Sequence, residues 1–352
     1  MSLCKEAVSI QGTDIELEGF PFISQDADVT VCAQAALWML LRYYSNRYPY
    51  YPEIYPVQIG NLTTDYSLGR IYPTSGLYVW QMAEALRRLR FSPLIYNRKN
   101  FPDDFDHLLY TYIESGIPVL ISLEKHVVVG FGHKSDYSAG PSGAGGWIFS
   151  SSFNRSFVIN DDNAVPYQLL HDKKSGAEGE SKFEFGDIRS FVAPLAERIF
   201  LPAESFQTVV TAILNRHETG YKALSPTLSA SPLLLRLFLT SGKSYKRTLA
   251  ERGMGSKTVE TMYRNLPMPH FIWVCEISHA SLFQNFQTLG EILWDATRNA
   301  YEPDGWIAVH YPEVLIVDVG SALNQKQDIR KFSLQKSVAY SVYRGNLKEI
   351  IP

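Results

Sequence analysis

The sequence predicts an α+β protein with two domains. From Cys32 onward, apolar residues recur at the i, i+3, i+4 spacing of a helix with one buried face. Residues 117–131 read as two β-rich runs, and a further apolar strand at 156–159 ends in acidic residues. Because 352 residues are long for a single core, we place one domain at 1–202 and a second at 203–352.

Composition and charge exclude several classes of protein. The apolar and charged fractions are those of a globular chain, so disorder is not expected. A net charge of −3 gives no electrostatic basis for binding nucleic acid. We expect no membrane span and no signal peptide, because no apolar run is long enough and the N-terminus lacks a basic region before an apolar one. The three cysteines are scattered, which argues against a disulfide framework and favours a cytoplasmic location.

The first domain is predicted to place helices and strands around one long loop. Residues 1–19 form a lead-in strand or arm, and residues 43–72, rich in tyrosine and proline, form an irregular loop because proline blocks helix formation. Gly116 is expected to end a helix as its C-terminal cap. The predicted helices cover 75–89 and 104–115, the predicted strands cover 118–123, 126–131, 147–152 and 156–159, and glycine-rich 133–146 and polar 173–182 are predicted loops.

The second domain is predicted to mix helices and strands without repeating the first. Its sequence matches no family that we can assign, and recruitment of a substrate or of a protein partner is the role that we consider for it. The predicted helical regions are 204–217, an apolar run at 232–239, a basic amphipathic segment at 243–252 and 282–300, and the predicted strands are 270–278, 306–310, 313–319 and 337–343.

Cys32 is predicted to lie at a helix start, where a thiolate is favoured. Unpaired backbone N–H groups and the helix dipole stabilise negative charge there. Gln25 supplies a side-chain amide on the loop that leads into the helix. A nucleophile with an amide donor before it is half of an acyl-transfer site, and the other half is a base with a group that orients it. The competing interpretation of Cys32 is a small buried core residue.

The order of the remaining groups completes a known pattern. His126 begins a β-rich run, and an acid follows the next apolar strand. Cysteine, then histidine, then acid is the chain order of papain-like enzymes, and the sequence resembles the C39-like cysteine peptidases of that clan over about residues 20–200. The matching segments are Phe22-Ile-Ser-Gln25, Cys32-Ala-Gln-Ala-Ala-Leu-Trp-Met39, Gly116-Ile-Pro-Val-Leu-Ile121, His126-Val-Val-Val-Gly130 and Val158-Ile-Asn-Asp161.

The resemblance implies a papain-like first domain, in which an N-terminal helix carries the cysteine and an antiparallel sheet carries the histidine and the acid. It also implies a Cys32–His126–Asp161 triad that cleaves a peptide or other amide bond through a thioester. The backbone N–H of Cys32 and the side chain of Gln25 are the implied oxyanion donors. No cofactor is implied.

Several alternatives remain open for the site residues. Strand alternation points Asn160 and Asp162 away from the face that holds Asp161, and a slip of one residue would substitute one of them as the acid. His126 is alternatively a strand-end histidine satisfied by the backbone. Relative to the family, residues 133–155 look inserted, and they either roof the cleft or fill it.

Other functions fit the same residues. An acyltransferase or transglutaminase-like enzyme would use the same triad with an amine as acceptor, and a non-catalytic binding module would keep the fold without the reactivity. Cys275 and His279 are an isolated pair of ligand types, so no metal site is expected there. A peptide or amide substrate is therefore the expected partner.

Overall fold

The structure, a computed structural model, describes most of the chain in nine segments. Its contacts divide the chain into two compact units, each assembled from separate stretches of sequence. The predicted division at residue 202 differs from this one at 135–153, at 198–202 and at 347–352. Unit 1 comprises 1–134, 154–197 and 347–352, and unit 2 comprises 135–153 and 198–346. The described residues are 1–24, 32–63, 77–138, 146–173, 176–254, 256–299, 305–320, 328–335 and 338–348.

The helices and strands are numbered in chain order. The helices are α1 (Cys32–Arg47), α2 (Pro56–Thr63), α3 (Val79–Arg88), α4 (Phe105–Glu114), α5 (Ala203–Asn215), α6 (Tyr221–Leu224), α7 (Pro226–Ser229), α8 (Gly242–Arg252), α9 (Lys257–Asn265) and α10 (Ala280–Phe283). The strands are β1 (Cys4–Ile10), β2 (Thr13–Gly19), β3 (Phe91–Asn97), β4 (Val119–Ser122), β5 (Val127–Ser135), β6 (Trp147–Phe149), β7 (Asn154–Asn160), β8 (Gln168–His171), β9 (Glu180–Glu184), β10 (Ser190–Ala196), β11 (Leu233–Ser241), β12 (Phe271–His279), β13 (Gln287–Thr288), β14 (Gly290–Asp295), β15 (Trp306–Tyr311), β16 (Val314–Asp318), β17 (Ile329–Ser333) and β18 (Tyr340–Ser341).

Unit 1 is organised around a sheet with the strand order β3-β10-β4-β5-β7-β8-β9. The strand pairs β3–β10, β10–β4, β4–β5 and β7–β8 are antiparallel, and β8–β9 is parallel. Helix α1 packs its apolar face into the core of this unit, where Leu37 and Leu40 are fully buried together with Val129 of β5. This packing fixes the start of α1 relative to the strands that carry the histidine and the acid.

Helix α4 ends as the sequence predicts. Gly116 follows the helix with a φ of 73°, in the left-handed region that favours glycine. The chain then turns directly into β4 and, through a short connection, reaches His126 and β5. The glycine therefore sets the point at which the chain enters the central strands of the sheet.

Unit 2 is organised around a second sheet, with the strand order β17-β16-β15-β14-β12-β11-β6. Its neighbouring strands are antiparallel except β11 and β6, which run parallel. Strand β6 comes from the segment 135–153, which the chain visits between β5 and β7. The segment that looked like an insertion in the first domain is thus a strand-forming part of unit 2.

A group of buried ion pairs connects the strands of unit 2 to α8. The guanidinium of Arg252 donates to Glu276 at 3.0 Å and to Glu291 at 2.7 Å, and both carboxylates are fully buried. Arg236 donates to the other oxygen of Glu276 at 2.7 Å. The backbone N–H of Tyr343 also donates to Glu276, at 2.6 Å. These contacts compensate the burial of two carboxylates in one core.

Several predicted elements differ from the observed ones. The residues 232–239, predicted as helical, form β11, because a continuous apolar run suits a buried strand as well as a helix. The predicted helix at 282–300 is replaced by α10 and by strands β13 and β14. Within the predicted loop 43–72, residues Pro56–Thr63 form α2, with proline at its first position, where the missing N–H is not needed.

Four strands of unit 1, β3, β8, β9 and β10, were not predicted as strands. The strand β3 contains Pro93, which pairs opposite Pro194 of β10 at the edge of the sheet. The strand β9 covers Glu180–Glu184 and begins inside the predicted polar loop 173–182. Strand β5 also runs further than predicted, to Ser135. None of the described helices is long and apolar enough to cross a bilayer.

Candidate active site

Cys32 is the first residue of α1, as predicted, and its side chain is partly exposed. The segment that precedes it in the chain is held against the core by contacts of Phe20 and Pro21. The backbone N–H of Phe20 donates to the hydroxyl of Tyr167 at 2.7 Å, and the ring of Phe20 stacks on Phe131 with centroids 4.2 Å apart. A partly exposed thiol at the start of a packed helix is the arrangement that favours a reactive cysteine.

His126 and Asp161 meet next to this helix start. His126 precedes β5 and Asp161 follows β7, and these two strands are neighbours in the sheet. The Nε2 atom of His126 lies 2.7 Å from Oδ1 of Asp161. The thiol of Cys32 also acts on this imidazole, because Cys32 contributes to the raised pKa of His126. Because Nε2 is occupied by the carboxylate, Nδ1 is the ring nitrogen left for the sulfur.

The electrostatics of this pair follow from its contacts. Burial disfavours the charged imidazole, but hydrogen bonds to Asp161 and Cys32, together with their charges, raise the pKa of His126 to about 9. Burial alone has the opposite effect at His107, whose pKa it lowers to about 4. Burial would raise the pKa of Asp161, yet the hydrogen bonds from His126 and from the backbone N–H of Asn163 lower it. The pair therefore favours an imidazolium beside a carboxylate.

Asp162 does not point away from the site, contrary to the expectation from strand alternation. Strand β7 ends at Asn160, and the chain turns at Asp161, whose carbonyl accepts from Ala164 at 3.1 Å. Alternation therefore no longer applies at the next residue. Oδ1 of Asp162 lies 3.6 Å from Nε2 of His126, and the residue is 3% exposed. Burial raises the pKa of Asp162, the charge of His126 partly opposes this effect, and the charge of Asp161 adds to it.

The other candidates have different positions. Asn160 is a structural residue, because its amide donates to the carbonyl of Pro21 at 3.2 Å and accepts from the backbone N–H of Tyr167 at 2.9 Å. Gln25, the predicted oxyanion donor, lies outside the described residues.

Two residues that the sequence analysis did not single out adjoin the pair. The ring of Phe183 on β9 stacks on His126, with centroids 5.9 Å apart and planes at 27°. The ammonium of Lys182 lies 5.0 Å from the centroid of Phe183, and its charge contributes to the lowered pKa of Asp161. The alternating Phe-Glu-Phe of 183–185 was a strand signal, but nothing in the sequence indicates that β9 reaches the histidine.

The other two cysteines, Cys4 and Cys275, lack the exposure of Cys32. Cys4 and Cys275 are both buried, and burial raises the pKa of both thiols. Cys275 lies in β12, an interior strand of the sheet of unit 2. Burial of this kind makes a thiol inert.

Metal binding is an alternative role for His126, Asp161 and Asp162. Among the described residues, one group combines ligand types at metal-binding separations: single ligand atoms of His126, Asp161 and Asp162 all lie within 4.8 Å of one another. A metal ion would need the lone pair of Nε2, which here faces Asp161 across a hydrogen bond. The observed geometry is therefore that of a histidine oriented by carboxylates.

Comparisons with known proteins give one structural likeness. No protein-family model matches the chain, and no curated protein matches it. Among solved structures, the chain is similar to the peptidase domain of Streptococcus ComA, a bi-functional ABC transporter involved in a quorum sensing pathway. The two are 15% identical, the alignment covers 50% of this chain and 98% of that domain, and the TM-score is 0.31.

Proposed function

We propose that this protein is a cysteine peptidase or amidohydrolase of papain-like type, with Cys32, His126 and Asp161 as its catalytic residues. The observation that carries the proposal is the surroundings of one imidazole: Oδ1 of Asp161 lies 2.7 Å from Nε2 of His126, and Cys32 contributes to the raised pKa of the same ring. The three residues belong to segments far apart in the chain, so the proposal depends on the fold to bring them together.

The chemistry follows from the roles of these groups. His126 takes the proton of the Cys32 thiol and becomes an imidazolium, which Asp161 holds in position. The thiolate attacks the carbonyl carbon of the substrate, and the carbonyl oxygen becomes an oxyanion. As the C–N bond breaks, the leaving amine takes the proton from His126, and a thioester remains on Cys32. Water then attacks the thioester with His126 as base, which releases the acid and restores the thiol.

The oxyanion requires preorganised donors, each of which contributes about 3 to 4 kcal/mol to the stabilisation of the transition state. The backbone N–H of Cys32 lies at a helix start, where such groups have no partner within the helix. We include the side-chain amide of Gln25 as the second donor, on the resemblance to C39-like peptidases.

The first test of the proposal is the reactivity of Cys32. We expect iodoacetamide to label Cys32 at neutral pH at least about 10-fold faster than a small reference thiol, because the imidazolium stabilises the thiolate. Labelling is measured by mass spectrometry of the Cys32 peptide, with Cys4 and Cys275 as internal controls. His126→Ala is expected to remove the excess rate. Labelling of wild-type protein no faster than the reference thiol would favour the non-catalytic binding module.

The second test is turnover. A fluorogenic peptide library is incubated with the wild type and with Cys32→Ala, and the thioester is trapped by acid quench and detected by intact mass. Hydrolysis that requires Cys32 supports the peptidase. Product that forms only when an amine is added assigns the acyltransferase, and the absence of a thioester from every substrate and acceptor contradicts the proposed function.

A further inference from the structure

The carboxylate of Asp162 has no role in the mechanism above, although it lies against the same imidazole. Its Oδ1 is 3.6 Å from Nε2 of His126, next to the 2.7 Å contact of Asp161. The side chains of Asp161 and Asp162 are 2% and 1% exposed. Two adjacent carboxylates, both removed from water, therefore face one ring nitrogen.

The surroundings of Asp162 supply little compensation for its burial. Oδ1 receives a long hydrogen bond of 3.4 Å from the side chain of Asn163. Oδ2 is buried and has no hydrogen-bond partner among the described residues. A buried carboxylate oxygen without a partner is costly, and the positive charge of an imidazolium at His126, 3.6 Å away, offsets part of this cost.

We propose that Asp162 is a second positioning residue, so that the imidazole of His126 is held by a pair of carboxylates rather than by Asp161 alone. Asp161 accepts the hydrogen bond and fixes the ring orientation. Asp162 adds a second negative charge on the same side of the ring, which favours the imidazolium over the neutral imidazole. The inference rests on the proposed function, because it assigns Asp162 a part in the same thiol–imidazole site.

The charged and titratable groups around this imidazole come from three other segments. They are Cys32 at the start of α1, Asp161 and Asp162 after β7, and Lys182 of β9, whose charge acts on Asp161. Lys182 opposes the two carboxylates, so the imidazolium depends on their combined charge. Removal of either carboxylate is expected to leave part of the stabilisation of the imidazolium. Removal of both carboxylates is expected to abolish this stabilisation.

The test is a titration of His126 in full-length protein that carries Cys32→Ala, which removes the thiol and makes the result independent of catalysis. The ¹³Cε1 resonance of His126, assigned with His126→Gln, is followed from about pH 5 to about pH 10. Asp162→Asn is expected to lower the pKa of His126 by about one pH unit, and Asp161→Asn with Asp162→Asn by more than either alone.

The matched control is Asp172→Asn, which removes the same charge from an exposed position in unit 1. If Asp162→Asn does not unfold cooperatively, Asp162→Ser removes the charge with a smaller side chain and takes its place. A His126 pKa that is the same in the Asp162 variant and in the Asp172 control overturns the proposal and leaves Asp162 with a structural role.

Two further outcomes distinguish this proposal from a metal site on the same residues and from a failure of the proposed function. All titrations are repeated with EDTA, and an effect of Asp162→Asn that disappears with the chelator overturns the proposal in favour of a metal ion on the same three residues. Slow labelling of Cys32 in wild-type protein would contradict the proposed function alone, because the titration in Cys32→Ala still reports whether both carboxylates act on the ring.

Discussion

His126 links the stability of the protein to pH through its contacts. Its pKa is raised to about 9 in the folded chain, whereas an unfolded histidine titrates near 6.5. A raised pKa of this kind stabilises the folded state fully below the unfolded value, and this contribution is lost as the pH rises through the folded value. The window in which the loss occurs is therefore pH 6.5 to about 9.

This linkage predicts the behaviour of His126→Gln. The difference in free energy of unfolding between the wild type and the variant should be largest near pH 6 and should fall by about 2 to 3 kcal/mol as the pH rises to about 9.5. Urea unfolding at several pH values measures the difference. A difference that stays constant over this range would mean that the imidazolium is not stabilised by Asp161 and Cys32.

At the scale of elements, the end of α4 depends on one backbone conformation. Gly116 adopts a φ of 73°, which an L-residue with a Cβ reaches only with strain. We therefore predict that Gly116→Ala lowers the free energy of unfolding by about 1 kcal/mol. The control is Gly186→Ala, because a Cβ at Gly186 would meet no atom within 4 Å and its φ lies outside the left-handed region. Equal effects of the two substitutions would contradict the role of Gly116 as a cap.

The buried ion pairs of α8, β12 and β14 predict a larger effect. Arg252→Met leaves Glu276 and Glu291 buried without their shared partner, and we expect it to lower the free energy of unfolding by about 3 to 5 kcal/mol. Arg264→Met is the matched control, because Arg264 pairs with Glu260 one turn away on the surface of α9. We expect Arg264→Met to lower the free energy of unfolding by less than about 0.5 kcal/mol. Chemical denaturation of both variants compares the two, and similar losses would refute the distinction.

Elements whose signals are local were predictable from the sequence. Helices α1 and α4 carry apolar residues at helical spacing, and α4 ends at a glycine, so neighbours along the chain predict both, although most residues of each helix are buried. The strand β14 was predicted as part of a helix because its identity depends on pairing with β12 and β15, which no local pattern encodes. Strand β3 was missed because Pro93 is tolerated only through its position at a sheet edge.

The residues of the candidate site also differ in whether a local sequence pattern could predict them. The positions of Cys32 at a helix start, of His126 before a strand and of Asp161 after a strand were predictable from local pattern, and their joint catalytic role stays a prediction. The contribution of Phe183 was not, because it depends on β9 lying at the end of the sheet that carries β7 and β8. The position of Asp162 was predicted wrongly, because the turn at Asp161 ends strand alternation one residue earlier than the sequence suggests.

At the scale of the whole molecule, the two units exchange segments. The segment 135–153 lies between β5 and β7 in sequence but belongs to unit 2, and residues 347–352 return to unit 1. In unit 1, the backbone N–H of Lys348 donates to the carbonyl of Met1 at 2.9 Å. A single cut in the chain therefore cannot separate the units without removing part of one of them.

This exchange predicts that the fragment 1–202 is a poor substitute for the full chain. In that fragment β6 has no β11 to pair with, and the apolar side chains of Ile148 and Phe153 lose the cluster that they form with Leu234, Phe283 and Val342. We expect the fragment to self-associate in size-exclusion chromatography and to show no amide protection at 147–149. The full-length protein is the reference.

A second fragment sharpens the comparison. Replacement of 136–153 by a short Gly/Ser linker within 1–202 removes the unpaired strand together with Ile148 and Phe153. We expect this version to be more soluble than the unmodified fragment. Monomeric behaviour of 1–202 with protected amides in β6 would show that this strand does not need β11.

The parallel pairing of β6 with β11 also sets an order of events during translation. Strand β6 leaves the ribosome roughly 90 residues before the end of β11, which corresponds to about 5 to 20 s of synthesis. Throughout that interval the nascent chain carries an edge strand whose partner does not yet exist. The last residues of unit 1 arrive only when synthesis passes Leu347, so neither unit can complete its fold early in the life of the polypeptide.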